Sequence, residues 1–230
     1  MNKIIFFMGL ILGCSDTVGG ANSPSFIFFE NYNLNYDGVT LGSQVWMRNN
    51  LNVDKFTNGD PIPEARTMEE WQTYAQSGIP AWCYYGNNAS NEETYGKLYN
   101  WYAVNDTRGL APLGWHIPSD SEWVVLTKFL GGEKKAGTIM KSTWGWNNNG
   151  NGTNTTGFNG LPGGFRDFYG NFSGLGSRGE WWSTGNGLYG SIVKRKVVNV
   201  WLRSLTCYDE RLGKNLNFEG CGMSVRCLRD

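Results

Sequence analysis

The turn at residues 114–119 runs directly into the most clearly marked helix of the sequence. The Ser119 hydroxyl can accept a hydrogen bond from the backbone three residues on, where the Glu122 carboxylate can reach back, so the pair forms a capping box. Two glycines at 131–132 supply a left-handed stop. Between these signals, apolar residues recur at helical spacing: Trp123, Leu126, Phe129 and Leu130. A helix with one buried face is therefore predicted from Asp120 onward.

The length and charge of the chain exclude some classes of protein. The 230 residues suffice for one good-sized domain with an N-terminal extension. Lysine plus arginine and aspartate plus glutamate both number 20, so we expect no nucleic-acid partner and no attraction to an anionic membrane surface. Glycine is abundant, with 32 residues, and aromatic residues make up 15%. This composition predicts many turns, short strands and a core of aromatic rings.

The first residues have the form of an export signal. Lys3 supplies a positive start, Ile4–Leu12 form an apolar run, and Gly13 is the small residue before Cys14. This run, within a predicted signal at 1–13, is too short to span a bilayer. Its end resembles the lipobox of bacterial lipoproteins, and that resemblance implies cleavage before Cys14 and acylation of the thiol. The alternative is a buried strand with an ordinary cysteine.

Residues 14–31 are interpreted as the acylated cysteine and a flexible tether, since glycine, serine and asparagine recur there. The folded domain is predicted to occupy residues 32–230. On this interpretation the protein is exported and anchored by lipid to the bacterial outer membrane, in the cell envelope.

Four cysteines remain once Cys14 is acylated, and an oxidising envelope favours disulfides between them. They are Cys83, Cys207, Cys221 and Cys227, and four cysteines allow three pairings. A structural zinc site is the alternative, but no two cysteines have C-x-x-C spacing, and the only histidine, His116, is far from them in sequence. We therefore expect disulfides and no bound metal.

Short elements are predicted before the helix that begins at Asp120. Residues 42–51 alternate apolar and polar side chains, which indicates a strand with a break near Asn49. Thr67 and Glu70 form a second capping box, which begins a helix that ends by Gly78. Residues recurring at helical spacing predict a further helix at 95–104: Tyr95, Leu98, Tyr99 and Tyr102.

Residues 134–187 are predicted to be almost free of regular structure, because turn-forming residues dominate them. A run this long inside a domain is usually functional or packed against itself. Strands return at 191–198, 200–207 and 223–228, the last with clean alternation of apolar and polar residues.

Several segments resemble one domain family, in the same order. They are Gly42–Met47, Tyr95–Tyr102, Gly114–Trp123, Leu161–Arg166, Trp181–Ser183 and Ser224–Cys227. Together they are similar to the Fibrobacter succinogenes major paralogous (FISUMP) domain over about residues 32–230. The resemblance implies an α+β, C-type-lectin-like fold with two to three short helices, a small antiparallel sheet closed by the last strand, and a long irregular loop region. The helices at Tyr95 and Asp120 would define that fold.

The resemblance also bears on the cysteines. The family usually carries a cysteine just before the Pro-x-Gly-Trp step, where this chain has Ala111. Cys83 is then the available partner for Cys227, and we favour the pairs Cys83–Cys227 and Cys207–Cys221. The formylglycine-generating, sulfatase-modifying enzymes share the fold. Their activity needs two reactive cysteines in a cleft, and no two of these four match such a motif.

The long loop region is the candidate binding face. Tryptophan rings can cover the apolar side of a sugar while amides exchange hydrogen bonds with its hydroxyls. The predicted ligand-binding residues are Trp144, Trp146, Asn147, Asn149, Asn154 and Asp167. Trp181 and Trp182 are candidate neighbours, although a core position is the favoured interpretation for both. Calcium is a weaker alternative, because residues 147–154 contain amides and no carboxylate.

The sequence contains no recognisable catalytic constellation, so no enzymatic activity is predicted. His116 has no accompanying serine or cysteine nucleophile motif, and a hydrogen bond to backbone within its turn is the favoured interpretation. The G-x-G-x-x-G spelling at 174–179 lacks the flanking strand and helix start that a phosphate site needs.

The resulting hypothesis is a bacterial envelope lipoprotein that presents one C-type-lectin-like domain. Its partner is a glycan or a surface protein bound through the loop face. It contacts a membrane only through the lipid anchor and needs no cofactor. One alternative is a structural or fimbria-associated surface protein without a small ligand, and the other is an envelope enzyme of the sulfatase-modifying type.

Overall fold

Both predicted capping boxes are present in the computed structural model, which describes residues 36–185, 188–192 and 195–230. The helices are α1 (Met68–Ser77), α2 (Glu92–Tyr95), α3 (Trp101–Val104), α4 (Asp120–Phe129) and α5 (Glu133–Met140), with 3₁₀ turns at Tyr85–Asn87 and Ala89–Asn91. None of the helices in the described part of the chain has the length and apolar character that crossing a bilayer requires. The predicted signal, Cys14 and the tether lie outside the described residues.

The strands form two sheets in the described part of the chain. They are β1 (Gly38–Leu41), β2 (Gln44–Met47), β3 (Trp82–Cys83), β4 (Leu98–Asn100), β5 (Trp115–His116), β6 (Gly163–Arg166), β7 (Phe172–Leu175), β8 (Arg178–Trp182), β9 (Leu188–Ile192), β10 (Arg195–Thr206), β11 (Gly213–Phe218), β12 (Gly222–Met223) and β13 (Leu228–Arg229). The small sheet has the antiparallel order β1-β2-β13-β5. The large sheet has the order β11-β10-β8-β6-β12-β4-β3, with β7 beside β6 and β9 beside β10. Only β6 and β8 pair in parallel among these strands, and the class is α+β, as predicted.

The last segment of the chain belongs to both sheets. At its start, the Ser224 carbonyl accepts a hydrogen bond from the backbone N–H of Trp182 in β8 (3.1 Å). At its end, Leu228 pairs with Trp46 of β2 on one side and with His116 of β5 on the other. The single strand predicted here is therefore split into β12 and β13, because its hydrogen bonds change from one sheet to the other between them.

A buried arginine holds this crossing segment in place. The Arg226 guanidinium is 1% exposed and donates through Nη1 to the carbonyls of Met47 (3.1 Å), Arg48 (2.7 Å) and Phe158. Its Nε and Nη2 both donate to Asn50 Oδ1, at 3.1 and 2.7 Å. The charge is therefore solvated by carbonyl and amide oxygens, and these bonds join three distant segments of the chain.

Phe158 brings the middle of the chain into the aromatic core. Its ring lies 5.9 Å from Trp46 of β2, 6.0 Å from Trp123 of α4 and 5.8 Å from Trp181 of β8, measured between centroids. The Arg226 guanidinium lies 4.4 Å from the same ring. All three tryptophans are fully buried, as is Trp182, which confirms the core position favoured for the pair at 181–182. Each such ring contributes roughly 2–3 kcal/mol by burial.

The helix predicted at 95–104 is wrong. α2 stops before Gly96, β4 follows it, and α3 comes only after that strand. Gly96 has a φ of 68° and a ψ of −152°, and a Cβ there would lie 2.9 Å from the carbonyl oxygen of Leu51. The Tyr99 hydroxyl, in β4, bridges the backbone N–H and carbonyl of Val53 at 2.7 Å each. Tertiary contacts thus override the helical spacing of the aromatic residues.

The segment 134–187 contains more regular structure than predicted. α5 begins at Glu133, directly after the glycine stop of α4, and β6, β7 and β8 follow. Gly132 precedes α5 and has no side chain to cap it, so the sequence carries no start signal there. The glycines at 174–179 lie in the end of β7, the turn after it and the start of β8. The longest described stretch of this segment without helices or strands is 141–162.

Two smaller predictions also change, namely the bounds of the strands at 191–198 and 200–207 and the burial of Phe129. The strands predicted at 191–198 and 200–207 are β9 and one long strand, β10, while residues 193–194 lie outside the described ones. No break occurs at Asn199, which pairs with a residue of β11. Phe129 was expected beside the buried stripe of α4, but its side chain is 59% exposed. The buried stripe itself is observed as predicted.

The four cysteines of the domain are separate, buried thiols, which corrects the predicted disulfides Cys83–Cys227 and Cys207–Cys221. The members of each predicted pair pack in different clusters of the core. Burial raises the pKa of Cys83 and of Cys221 to about 12, and it raises the pKa of Cys227 as well. These three thiols therefore resist forming the thiolate that disulfide exchange or catalysis needs.

Replacing Arg226 with methionine is expected to lower the free energy of unfolding by at least about 3 kcal/mol, because the change leaves several buried oxygens without hydrogen-bond donors. Denaturant unfolding followed by tryptophan fluorescence measures the loss. Arg229→Met is the matched control, since Arg229 is exposed at the end of the same segment and lies 5.0 Å from the Trp115 ring. Its expected cost is under about 1 kcal/mol. Equal losses would contradict a structural role for Arg226.

Candidate ligand-binding depression

The two tryptophans predicted to form a loop face have opposite environments. Trp144 is 51% exposed, whereas Trp146 is 5% exposed. The Trp146 indole N–H donates to the Ser142 hydroxyl and to the Gly160 carbonyl, both at 3.1 Å. Trp146 therefore anchors the loop from inside, which corrects its predicted role in stacking on a ligand.

The predicted asparagines shape the loop. Asn149 and Asn154 have φ angles of 56° and 48°, in the left-handed region that asparagine tolerates better than most residues. The side-chain oxygen of Asn154 accepts a hydrogen bond from the backbone of Asn159 (2.8 Å). The backbone N–H of Asn147 donates to the Gly176 carbonyl in the turn between β7 and β8 (2.7 Å). The asparagines predicted as sugar ligands therefore also hold the loop in its conformation.

Asp167 lies in the turn between β6 and β7. Its carboxylate accepts hydrogen bonds from the backbone N–H (2.9 Å) and the side chain (3.0 Å) of Asn171. Its carbonyl accepts a bond from the Trp71 indole of α1 (3.0 Å). The structure therefore gives this predicted ligand residue a local role, holding its turn against α1.

An open depression of about 230 Å³ lies between the loop at 149–151 and the turn at 207–210 that follows β10. Its lining residues are Thr138, Lys141, Asn149, Gly150, Asn151, Cys207, Tyr208, Asp209 and Glu210. Of the predicted ligand-binding residues, Asn149 is the one that lines this depression.

Two glycines allow the walls of the depression to approach each other. A Cβ on Gly137 of α5 would overlap the carbonyl oxygen of Glu210, and the neighbouring Thr138 N–H donates to that same oxygen (3.2 Å). A Cβ on Gly150 would lie 2.5 Å from the carbonyl oxygen of Cys207. A side chain at Gly137 would push α5 away from the turn, and one at Gly150 would push the loop away from it.

Lys141 is one of the buried residues that line the depression. Its side chain is buried, and its ammonium donates to the carbonyls of Thr206 (3.1 Å) and Asp209 (3.0 Å) while lying 5.4 Å from the Trp146 ring. Burial lowers the pKa of Lys141, and the nearby Cys207 and acidic residues of the turn oppose that shift. The lysine thus ties the helix to the turn rather than projecting into solvent.

The rim combines an aromatic ring with polar groups. Tyr208 is 78% exposed, and Asn149, Asn151 and Glu210 are exposed beside it along the lining. The Asp209 carboxylate is instead paired with Arg211 at 2.6 Å. A ring that can stack, amides that donate and accept, and an acceptor carboxylate suit a ligand that carries several hydroxyl groups.

Sequence reasoning missed the turn after β10. Its signal was an aromatic residue beside an acidic pair, Tyr208 with Asp209–Glu210, at the end of a predicted strand. Nothing in the sequence links this signal to Asn149, because the loop and the turn meet through tertiary contacts with α5 and with each other. Among the described residues, no group of three or more histidine, cysteine, aspartate or glutamate side chains is placed to hold a metal ion.

Comparison with known protein families identifies the domain. The model of the Fibrobacter succinogenes major domain matches residues 39–229. The chain belongs to this family. No curated protein and no solved structure matches it significantly.

The segments that carry the resemblance to the Fibrobacter succinogenes major domain are largely buried. Arg166 is fully buried and donates to the carbonyls of Ala65 (2.9 Å), Thr67 (2.8 Å) and Gly170 (3.1 Å). Arg226, in the last of these segments, has the same kind of environment. None of the residues lining the depression belongs to those segments. Membership in the family therefore identifies a scaffold and does not specify what the depression binds.

His116 of this Fibrobacter succinogenes major domain bonds to side chains, which corrects the backbone partner expected for it. Its Nδ1 lies 2.7 Å from Asp230 Oδ1 and its Nε2 lies 2.9 Å from Glu122 Oε1. Burial alone lowers the pKa of His116, but hydrogen bonds and attraction from the two carboxylates outweigh it, so the pKa lies above its ordinary 6.5. The imidazolium therefore links the C-terminus to the capping box of α4.

This linkage predicts a pH dependence of stability. The raised pKa of His116 contributes stability that is complete below pH 6.5 and is lost as the pH rises through the folded-state value. The pKa of Glu122 lies below its ordinary 4.5, despite burial, because Ser119 and His116 bond to the carboxylate; its contribution is present above pH 4.5 and lost on acidification. Wild type should therefore exceed His116→Gln in unfolding free energy most between those two pH values.

Urea titrations of both proteins across that range and up to about pH 8 provide the measurement. His116 is the only histidine of the chain, so no other imidazole contributes to the difference. A difference that stays constant with pH would show that His116 acts by packing rather than by charge.

Proposed function

We propose that this domain binds a carbohydrate in the depression between 149–151 and 207–210. The observation that supports the proposal best is the Tyr208 ring, 78% exposed on the rim of a depression lined by amides and a carboxylate. An exposed aromatic ring of this kind offers a flat apolar face on which a sugar ring can stack. A sugar ring would lie against it and exchange hydrogen bonds with Asn149, Asn151 and Glu210.

The depression is open, so the ligand is proposed to be one end of a longer glycan whose remainder stays in solvent. The chain has 20 basic and 20 acidic residues, and Lys141 is occupied by carbonyls, so neutral sugars suit the depression better than sulfated or phosphorylated ones. Trp144, 51% exposed in the same loop, is a candidate second stacking surface for a longer ligand.

The proposed setting is the bacterial envelope. The chain would be cleaved before Cys14, acylated there and held to the outer membrane, with residues 14–31 as the tether. We further propose that the domain is C-type-lectin-like. The pairing of β13 with β2, the packing of α4 and the irregular segment at 141–162 support that assignment.

The alternatives make different demands on the structure. A structural or fimbria-associated surface protein requires a rigid scaffold and no small ligand, and the buried arginines 166 and 226 supply rigidity. A sulfatase-modifying activity requires reactive cysteines. Burial raises the pKa of three of the four, and Cys207 alone lines the depression, which argues against that alternative.

The carbohydrate proposal predicts saturable binding of the purified full chain on a glycan array. Tyr208→Ala is expected to weaken that binding about tenfold, the loss of one stacked ring at roughly 1.4 kcal/mol. Tyr169→Ala is the matched control, since Tyr169 is 66% exposed in the β6–β7 turn, away from the lining residues, and its loss should leave the affinity unchanged.

Three other results are informative. Array binding that Tyr208→Ala does not affect would place the ligand elsewhere. An absence of binding by a correctly folded chain would favour the structural alternative. Capture of an envelope protein that survives enzymatic removal of its glycans would favour a protein partner.

The proposed anchor predicts that cells expressing the chain incorporate labelled palmitate into it, and that Cys14→Ala abolishes the incorporation. Cys207→Ala is the control: it removes a thiol of the folded domain and should leave the label in place. Wild-type protein without label would exclude lipid attachment at Cys14.

A further inference from the structure

A lysine, an asparagine and a glutamate meet at a second place, apart from the depression. The Lys97 ammonium lies 2.6 Å from Asn52 Oδ1 and 3.5 Å from Glu92 Oε1. The side-chain amide of Asn52 donates through Nδ2 to that same oxygen of Glu92, at 3.0 Å. One carboxylate oxygen thus contacts both the amine nitrogen of the lysine and the amide nitrogen of the asparagine.

The backbone brings these groups together closely. The Lys97 N–H donates to the Leu51 carbonyl (3.3 Å), so the residues before β4 run beside the segment that follows β2. Gly96 is needed there, because a Cβ would lie 2.9 Å from that carbonyl oxygen. Glu92 is the first residue of α2, which projects its side chain toward the same point.

The lysine is held in an apolar setting. Its side chain is 4% exposed, and its nitrogen lies 4.5 Å from the centroid of the Trp82 ring and 5.1 Å from that of Tyr84. Burial lowers the pKa of Lys97, against the attraction of Glu92 and of other nearby carboxylates. The hydrogen bond from Asn52 contributes most to lowering the pKa of Glu92, so the carboxylate stays available to accept a proton. The lowered pKa of Lys97 favours the neutral amine, and the ionised carboxylate of Glu92 lies 3.5 Å away, within reach of its proton.

We propose that Lys97 and Asn52 join their side chains in an intramolecular amide bond, with Glu92 as the proton carrier. Glu92 accepts a proton from the Lys97 ammonium, and the freed amine attacks Cγ of Asn52. The resulting tetrahedral carbon expels Nδ2, which takes one proton from the attacking nitrogen and one from Glu92 and leaves as ammonium. The products are one amide and one ammonium ion, so atoms and charge balance and no oxidant is required.

The bond would relieve a cost that the structure otherwise carries. A buried ammonium is replaced by a neutral amide beside Trp82 and Tyr84, which removes the desolvation penalty of the charge. The bond also closes a loop between the segment after β2 and the start of β4, with the same constraint on the unfolded chain that a disulfide gives. Such a bond is insensitive to reductants, and the cysteines of this domain are unpaired.

Tryptic mapping of the full chain tests the proposal directly. Cleavage after Arg48 and Lys55 releases residues 49–55, and cleavage after Arg66 and Arg108 releases residues 67–108, in which Lys97 is the only lysine. The expected product is one species containing both peptides, lighter than their sum by one ammonia and uncut after Lys97. Fragmentation should locate the bond between Asn52 and Lys97.

Variants identify the role of the carboxylate. Glu92→Gln is expected to yield the two peptides unjoined, with cleavage restored after Lys97, while the neighbouring Glu93→Gln should keep them joined. Asn52→Ala and Lys97→Arg should also remain unjoined. Wild-type chain that gives 49–55 and 98–108 as separate, unmodified peptides would overturn the proposal, and this measurement depends on no variant folding. Joined peptides in Glu92→Gln would overturn the role of Glu92.

Discussion

The fold depends on a buried cation that neutral oxygens solvate. The Arg226 guanidinium replaces water with the oxygens of Met47, Arg48, Asn50 and Phe158, which come from the first hairpin and the middle of the chain. Arginine suits this position because its planar fork supplies donors in several fixed directions at once, which a lysine cannot do. A charge this deep needs its oxygens in place, so the residues at 47–50, Phe158 and the last segment have to come together cooperatively.

The irregular segment at 141–162 owes its order to the end of a helix. The last carbonyls of α5 and of the residue after it lack partners within the helix, and the loop supplies them. The N–H groups of Thr153, Asn154 and Gly160 donate to the carbonyls of Thr138 (2.9 Å), Lys141 (3.1 Å) and Met140 (2.8 Å). The loop that rims the depression is therefore a cap of α5. Its glycines and asparagines provide the turns that this path requires. The loop is therefore ordered by contacts within the domain.

Local signals were readable from the sequence, and contacts between distant segments were not. Both capping boxes, the buried stripe of α4 and the β2 strand depend on neighbouring residues, and all are observed. Tyr99 was misassigned because its hydroxyl bonds to Val53, and His116 because its partners include the C-terminal residue. The predicted disulfides failed because sequence gives the number of cysteines but not which cluster each one joins. The depression arises from the packing of α5 and of the loop at 149–151 against the turn after β10.

The buried residues that hold the fold together are largely different from the exposed residues on the rim of the depression. The buried arginines and tryptophans of the family-like segments sit where a substitution would leave several groups unpaired. The side chains of Asn149, Tyr208 and Glu210 instead project from element ends, and the backbone beneath them is held by Gly137, Gly150 and Lys141. Substitutions of Tyr208 and Glu210 cost little stability, whereas Asn149 also supplies a left-handed turn of the loop. The rim at Tyr208 and Glu210 can therefore vary while the fold stays intact, because the buried scaffold is built from other residues.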